Sequence, residues 1–272
     1  MTGPQGGVRW ILPVAAASAA LFVGQAVLPQ SNMYRTVLAP HAVQAVGVVS
    51  KLTFLALAAV FAWTSARGFE PGNPVRPAWR MLAAGVLAFF LAQLSFAPYQ
   101  LVLNQDPPFP SVADVLFMLA YPLFVAALFS FIRGYREAGY PVGTAGSLWA
   151  AAAVVAVAGA ALGYFILRPV IAAPAPRLEK LLNVAYPVLD LVLLIPTALL
   201  TRITVALRGG AVWKIWASLL GGFAFVCLGD VLFAYVSGLG QQGLDPLIHA
   251  MYILSYALLA RGVVYQHELL RS

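Results

Sequence analysis

Charge is what this chain has least of. Only 9% of its 272 residues are Asp, Glu, Lys or Arg, and 62% are apolar. An ordinary soluble domain carries about 25% charged residues. So few charges cannot cover a globule of this size, which excludes a soluble fold and leaves lipid to face the missing polar surface. Cysteine is nearly absent: Cys227 stands alone inside an apolar run. That excludes an internal disulfide and a cysteine-built metal centre, and the residue reads as small core packing. No second histidine lies four residues from His249 as a metal-ligand partner would, and His41 and His267 fall in a loop and the tail. There is no Gly-x-Ser-x-Gly, no Walker loop and no metalloprotease His-Glu-x-x-His motif. The net charge is +7 and the pI about 9.8. However, the basic residues sit in short clusters between apolar runs, the pattern of topology signals and not of a nucleic-acid footprint.

What the chain has in excess is apolar run length. A bilayer-spanning helix needs roughly 20 apolar residues, and such runs recur eight times, over about 10–28, 43–66, 79–103, 111–133, 146–167, 178–207, 212–237 and 246–266. The breaks carry turn chemistry, as in Glu70-Pro-Gly-Asn-Pro, Asp106-Pro-Pro-Phe-Pro110, Ala173-Pro-Ala-Pro176 and Gly238 to Gly243. Pro110-Ser111 and Asp245-Pro246 are good helix starts. In lipid the backbone must satisfy its own polar groups, so runs this long are helices. Residues 1–272 therefore read as one all-α polytopic integral membrane domain of about eight transmembrane helices, the first run retained as an uncleaved signal anchor.

Orientation follows from Lys and Arg. Eight spans place Arg9, Arg67, Arg76, Arg80, Arg133, Arg136, Arg202, Arg208, Lys214, Arg261 and Arg271 on one side, which is eleven of the sixteen basic residues. The positive-inside rule puts that side, with both termini, in the cytoplasm. The composition fits the inner membrane of a bacterium. Trp10, Trp79 and Trp213 at the span ends read as interface anchors.

Ionisable groups inside spans are costly and ask for a reason. Lys51, Asp114, Asp190, Asp230 and His249 all fall in the outer half of the bilayer on this topology. Gln93, Tyr99, Gln100, Tyr121, Tyr186, Tyr252 and Tyr256 lie at similar depth. Two readings stay open. In one, Lys51 pairs with Asp190 or Asp230 and the rest bond to tyrosines or backbone as interhelical glue. In the other, Lys51, Asp114, Tyr121, Tyr186, Asp190, Asp230, His249, Tyr252 and Tyr256 line a pocket for a small molecule or lipid. Asp114 and Asp245 also fit helix N-terminal roles. The sequence names no cofactor. Asp114 to Tyr121 and His249 to Tyr256 share a polar-to-Tyr spacing and fall in the fourth helix of each half, a pattern that suggests repeats over 9–137 and 146–267 with a site between them.

Three segments occur together in order: Pro107-Pro-Phe-Pro-Ser-Val-Ala-Asp-Val-Leu-Phe-Met-Leu-Ala-Tyr-Pro122, Asn183-Val-Ala-Tyr-Pro-Val-Leu-Asp190 and Gly229-Asp-Val-Leu-Phe-Ala-Tyr235. Over about 40–266 they resemble the eight-helix membrane input region that precedes GGDEF or EAL modules, or histidine kinases, in many bacteria. The resemblance implies a sensory, ligand-binding module that signals to a cytoplasmic partner through its last helix. The sequence stops at Ser272 with no output domain, so the expectation is a truncation there, or a protein that works alone or through a partner. More weakly, Gly229-Asp-Val-Leu with Leu247-Ile-His-Ala-Met-Tyr252 is similar to lysoplasmalogenase-like membrane hydrolases. That would make Asp230 with Asp114 or Asp190 an acid–base pair in an intramembrane lipid hydrolase. An accessory subunit of a membrane complex is the third expectation.

Overall fold

The computed structural model describes residues 8–28, 39–140, 153, 157, 159–239 and 242–271. Among them every regular element is a helix. We label the helices α1 (Ile11–Val27), α2 (Pro40–Gly68), α3 (Val75–Pro98), α4 (Val112–Glu137), α5 (Gly159–Ala172), α6 (Arg177–Ile203), α7 (Ala211–Leu239) and α8 (Asp245–Leu269). Six of these, α2, α3 with its extension, α4, α6, α7 and α8, are long and apolar enough to cross a membrane. The 29 residues of α2, at about 1.5 Å each, extend roughly 44 Å, well beyond a hydrocarbon core of about 30 Å. Helix α1 has 17 residues and α5 is described over 14, so both are apolar but short.

The ends follow local chemistry. Proline occupies the first turn of α2 and α8, where its missing N–H costs nothing. Ser111 caps α4 in a capping box with Asp114. At the other end of α4 Gly139 adopts φ +82°, and its N–H and that of Tyr140 bond back to Arg136 and Tyr135, a close that only a residue without a Cβ makes cheaply. After Pro98, α3 widens into a π-helical turn, Tyr99–Leu103, closed by Asn104 in the left-handed region.

Helices α2, α3, α4, α6, α7 and α8 form a closed ring in that order, with α2 packed on α8. Helix α1 lies outside against α8 and α2, while α5 lies outside against α7 and α6. The ring is filled by aromatic rings: Phe89 touches Phe117, Tyr121, Phe124 and Tyr256 edge-on. The outer surface is apolar, with Val112 77%, Val60 58% and Leu119 55% exposed, whereas Asp190 is 2% and Lys51 3% exposed. Carboxylates inside and valines outside invert the soluble arrangement and suit a lipid solvent.

Several boundaries move from those read in the sequence. The fifth span was expected over 146–167. Most of its first half lies outside the described residues, and the described part continues through a π-helical turn to Ala172, so Arg168 lies inside the helix and not after it. The sixth helix gives way to a 3₁₀ turn at Thr204–Leu207. His41 and His267 belong to α2 and the last turn of α8, not to a loop and a tail. Trp79 is not an interface anchor: it is 2% exposed and packs edge-on against Phe131 at 5.1 Å. Trp10, 42% exposed, keeps a rim position.

Candidate functional site

The site grows from two Tyr-Pro pairs. Tyr121-Pro122 lies in α4 and Tyr186-Pro187 in α6, and each proline deprives a carbonyl one turn back of its amide partner. The two tyrosines, with ring centroids 6.3 Å apart, reach across the α4–α6 contact in opposite senses. Tyr186 donates to Asp114 Oδ1 at 2.6 Å, and Tyr121 donates to Asp190 Oδ1 at 2.8 Å. Asp114 works twice, because its Oδ2 accepts from the Ser111 amide at 2.6 Å in the capping box. One carboxylate oxygen of Asp114 thus serves the helix N-terminus and the other an interhelical bond.

Tyr121 Oη also lies 3.4 Å from Asp230 Oδ2 of α7. A phenol has one proton to give, so its hydroxyl cannot donate to both carboxyl groups at once. Asp230 receives a second bond from Tyr252 of α8. Tyr252 stacks on Tyr256 at 6.2 Å, and Tyr256 accepts from Gln93 Nε2 of α3 at 3.1 Å. Five helices therefore meet in one chain of side chains: Gln93, Tyr256, Tyr252, Asp230, Tyr121, Asp190. Two buried acceptors here have no donor among the described residues, Asp190 Oδ2 and Asn183 Oδ1.

A polar stripe leads into this cluster from the end of α6. Glu179, Asn183, Tyr186 and Asp190 fall at helical spacing on one face. Asn183 donates to Ser237 of α7 and Ser237 to Glu179, both at 3.5 Å. Cys227, one turn before Asp230, is buried and 7% exposed.

Lys51 and His249 stand apart. The expected pairing of Lys51 with Asp190 or Asp230 is overturned: Lys51 Nζ lies 3.4 Å from His249 Nδ1, across the α2–α8 contact. Phe22 of α1 closes over the imidazole at 5.2 Å. The structure thus brings Asp114, Tyr121, Tyr186, Asp190, Asp230, Tyr252 and Tyr256 together and sets Lys51 and His249 in an adjoining pair. Gln93 joins as expected from its depth, whereas Tyr99 and Gln100 take no part in the cluster's side-chain bonds. Phe89, the ring hub, escaped the sequence reading, although it lies one turn before Gln93 on the same face.

With 9–137 and 146–267 taken as halves, two pairs of contacts correspond, although the shorter bond of Tyr121 goes to Asp190 on α6. Asp114 and His249 each bond to the second helix of the opposite half, Tyr186 on α6 and Lys51 on α2. Tyr121 and Tyr256, seven residues later in each case, each reach the third helix of the opposite half, Asp230 on α7 and Gln93 on α3. Among the described residues no three His, Cys, Asp or Glu side chains gather as metal ligands would. No protein-family model, curated protein or solved structure matches the chain.

Proposed function

We propose that this is a membrane-embedded sensory module of two four-helix repeats, whose responsive element is the Asp190–Tyr121–Asp230 cluster and whose output is α8. Eight segments cross the membrane, α1 and α5 tilting little or thinning the bilayer locally, with both termini on the arginine-rich, cytoplasmic face of a bacterial inner membrane. The observation that carries the reading is the path of bonds. Asp230 and Gln93 each hold a tyrosine of α8, Tyr252 and Tyr256, and α8 then continues unbroken to Leu269. A ligand that changes the bonding of Asp230 changes the seat of the one helix that also contacts α1, α2 and α7. The unpartnered oxygens of Asn183 and Asp190 call for a donor, so the ligand class is a small cation or other donor-bearing molecule entering along the Glu179 stripe.

The test uses the full chain in lipid nanodiscs with a spin label at Leu269→Cys. Titrating pH, sodium, potassium and ammonium shifts the label spectrum in the otherwise native chain, and Asp190→Asn or Asp230→Asn removes the shift while thermal unfolding stays cooperative. A label that never moves, or moves equally in both variants, refutes the sensory reading and leaves the cluster as interhelical glue. Two carboxyl groups meeting one phenol also favour, as the second reading, the intramembrane lipid hydrolase. That reading requires turnover: product release from lysophospholipid, abolished in Asp230→Asn.

A further inference from the structure

We propose that the arginine-rich end of the bundle holds a binding site for a phosphate-bearing anion, built by Lys214 of α7 and Arg261 of α8 around the ring of Tyr265. The site needs the membrane-crossing reading but not the sensory one. Arg261 Nη2 donates to the Tyr265 hydroxyl at 3.1 Å, and its guanidinium lies 5.2 Å from the ring centroid. Lys214 Nζ lies 5.8 Å from the same centroid. Two cations thus converge on one neutral phenol, and neither makes an ion pair among the described residues. Like charges gathered in this way repel, and an anion between them removes the repulsion. A tyrosine face attracts cations and fixes where they stand, which leaves their remaining N–H groups for a guest.

Beside them lies an open groove between the start of α1, with the residues before it, and α8, lined by Val8, Arg9, Leu12, Arg261 and Tyr265. Its walls are of two kinds. Arg261 supplies forked N–H donors that match phosphate oxygens and Arg9 adds positive charge beside it, while Val8 and Leu12 supply an apolar side. A phosphate ester with a hydrocarbon part fits both, and basic pockets between spans on the cytoplasmic face suit anionic lipid headgroups. Free phosphate offers the same charge without the apolar part. The position matters, since Arg261 and Tyr265 lie on α8 about one and a half to three and a half turns beyond Tyr252 and Tyr256. An anion held in the groove and by Lys214 would tie α8 to α1 and α7 at the end opposite the carboxyl cluster.

The experiment is native mass spectrometry of the full chain released from neutral detergent, with phosphatidylglycerol, phosphatidylcholine or inorganic phosphate added. Retention of phosphatidylglycerol over phosphatidylcholine is expected, together with a weakening of about thirtyfold in Lys214→Gln/Arg261→Gln, roughly tenfold or less for each charge lost near the surface. Arg133→Gln, an exposed arginine already paired with Glu137, leaves retention unchanged. Displacement of the lipid by millimolar inorganic phosphate keeps the site and names free phosphate as its occupant. Equal retention of the two lipids, with no phosphate bound, overturns the proposal, as does equal retention in the double variant. Should that variant fail to fold, the comparison of the three additives on the unmodified chain decides alone.

Discussion

Lys51 of α2 and His249 of α8 meet at 3.4 Å across the junction that closes the helix ring. The contact holds a 3% exposed amine against an imidazole, with no carboxylate as its partner among the described residues. If the amine is charged, Nδ1 accepts and the ring proton lies on Nε2. Such an arrangement contributes little to stability, because taking the ammonium out of water offsets what the bond supplies.

An asymmetry between the two partners follows. Lys51→Met removes the charge and keeps the volume, so thermal unfolding in detergent should show a change within about 1 kcal/mol of the unmodified protein. His249→Leu instead strands the buried amine and should cost about 3 kcal/mol or more. Equal losses in the two variants would contradict this account of the pair.

The Tyr121–Asp190 bond, at 2.8 Å, is open to a double-mutant cycle. Tyr121→Phe and Asp190→Ala should be non-additive, with a coupling of roughly 0.5 to 2 kcal/mol, the range for bonds between helices in membranes. Because the same hydroxyl lies 3.4 Å from Asp230, the cycle of Tyr121→Phe with Asp230→Ala should couple more weakly. A coupling to Asp230 larger than that to Asp190 would mean that the phenol donates the other way.

The burial of the carboxylates was legible in the sequence because placing a charge in lipid is costly wherever it occurs, so Asp114, Asp190 and Asp230 announce themselves by sitting in apolar runs. The six long helices were legible for the same reason of run length. What each group faces was not, since depth along a helix says nothing of rotation about it. Lys51 lies at the same height as two aspartates and yet meets His249, because α2 neighbours α8 and not α6 or α7 in the ring. Trp79 looked like an anchor from its place at a span start, but α3 begins four residues earlier, at Val75, and buries it. The reciprocal crossing of Asp114 with Tyr186 needed the α4–α6 adjacency, which no local pattern supplies.

Asp114 carries two duties that substitution can separate. Asp114→Asn keeps an acceptor for Tyr186 but weakens the bond from the Ser111 amide. Asp114→Ala removes both, leaving a buried phenol without an acceptor and a helix without its capping box. Losses of about 1 kcal/mol for the cap and about 1–3 kcal/mol for the stranded hydroxyl predict roughly 2–4 kcal/mol for the alanine variant by thermal or denaturant unfolding. Tyr186→Phe placed on top of Asp114→Ala should recover part of it, because the stranded group is then gone. No recovery would show that the cap alone accounts for the loss.

The α7–α8 contact tests whether close approach of backbones, and not polar bonding, seats the proposed output helix. A Cβ at Gly222 would lie 2.7 Å from Leu259 Cδ2 and 3.2 Å from the Leu259 amide nitrogen, and one at Gly262 would lie 3.0 Å from the carbonyl oxygen of Ile215. The first neighbour can rotate, but the backbone atoms move only if the helices part, which is how small residues set helix separation in membranes. Gly222→Ala and Gly262→Ala should therefore each destabilise by about 1–3 kcal/mol. Gly163→Ala, where a Cβ meets nothing within 4 Å, should stabilise by up to about 1 kcal/mol and serves as the control of opposite sign. Since Gly229 on the same helix lies against Tyr252, parting α7 from α8 at Gly222 also draws Tyr252 from Asp230. The Leu269→Cys label should then report the disturbance in Gly222→Ala without any ligand. A label spectrum indistinguishable from that of the unmodified helix pair would show that the carboxyl cluster and the cytoplasmic end of α8 move independently.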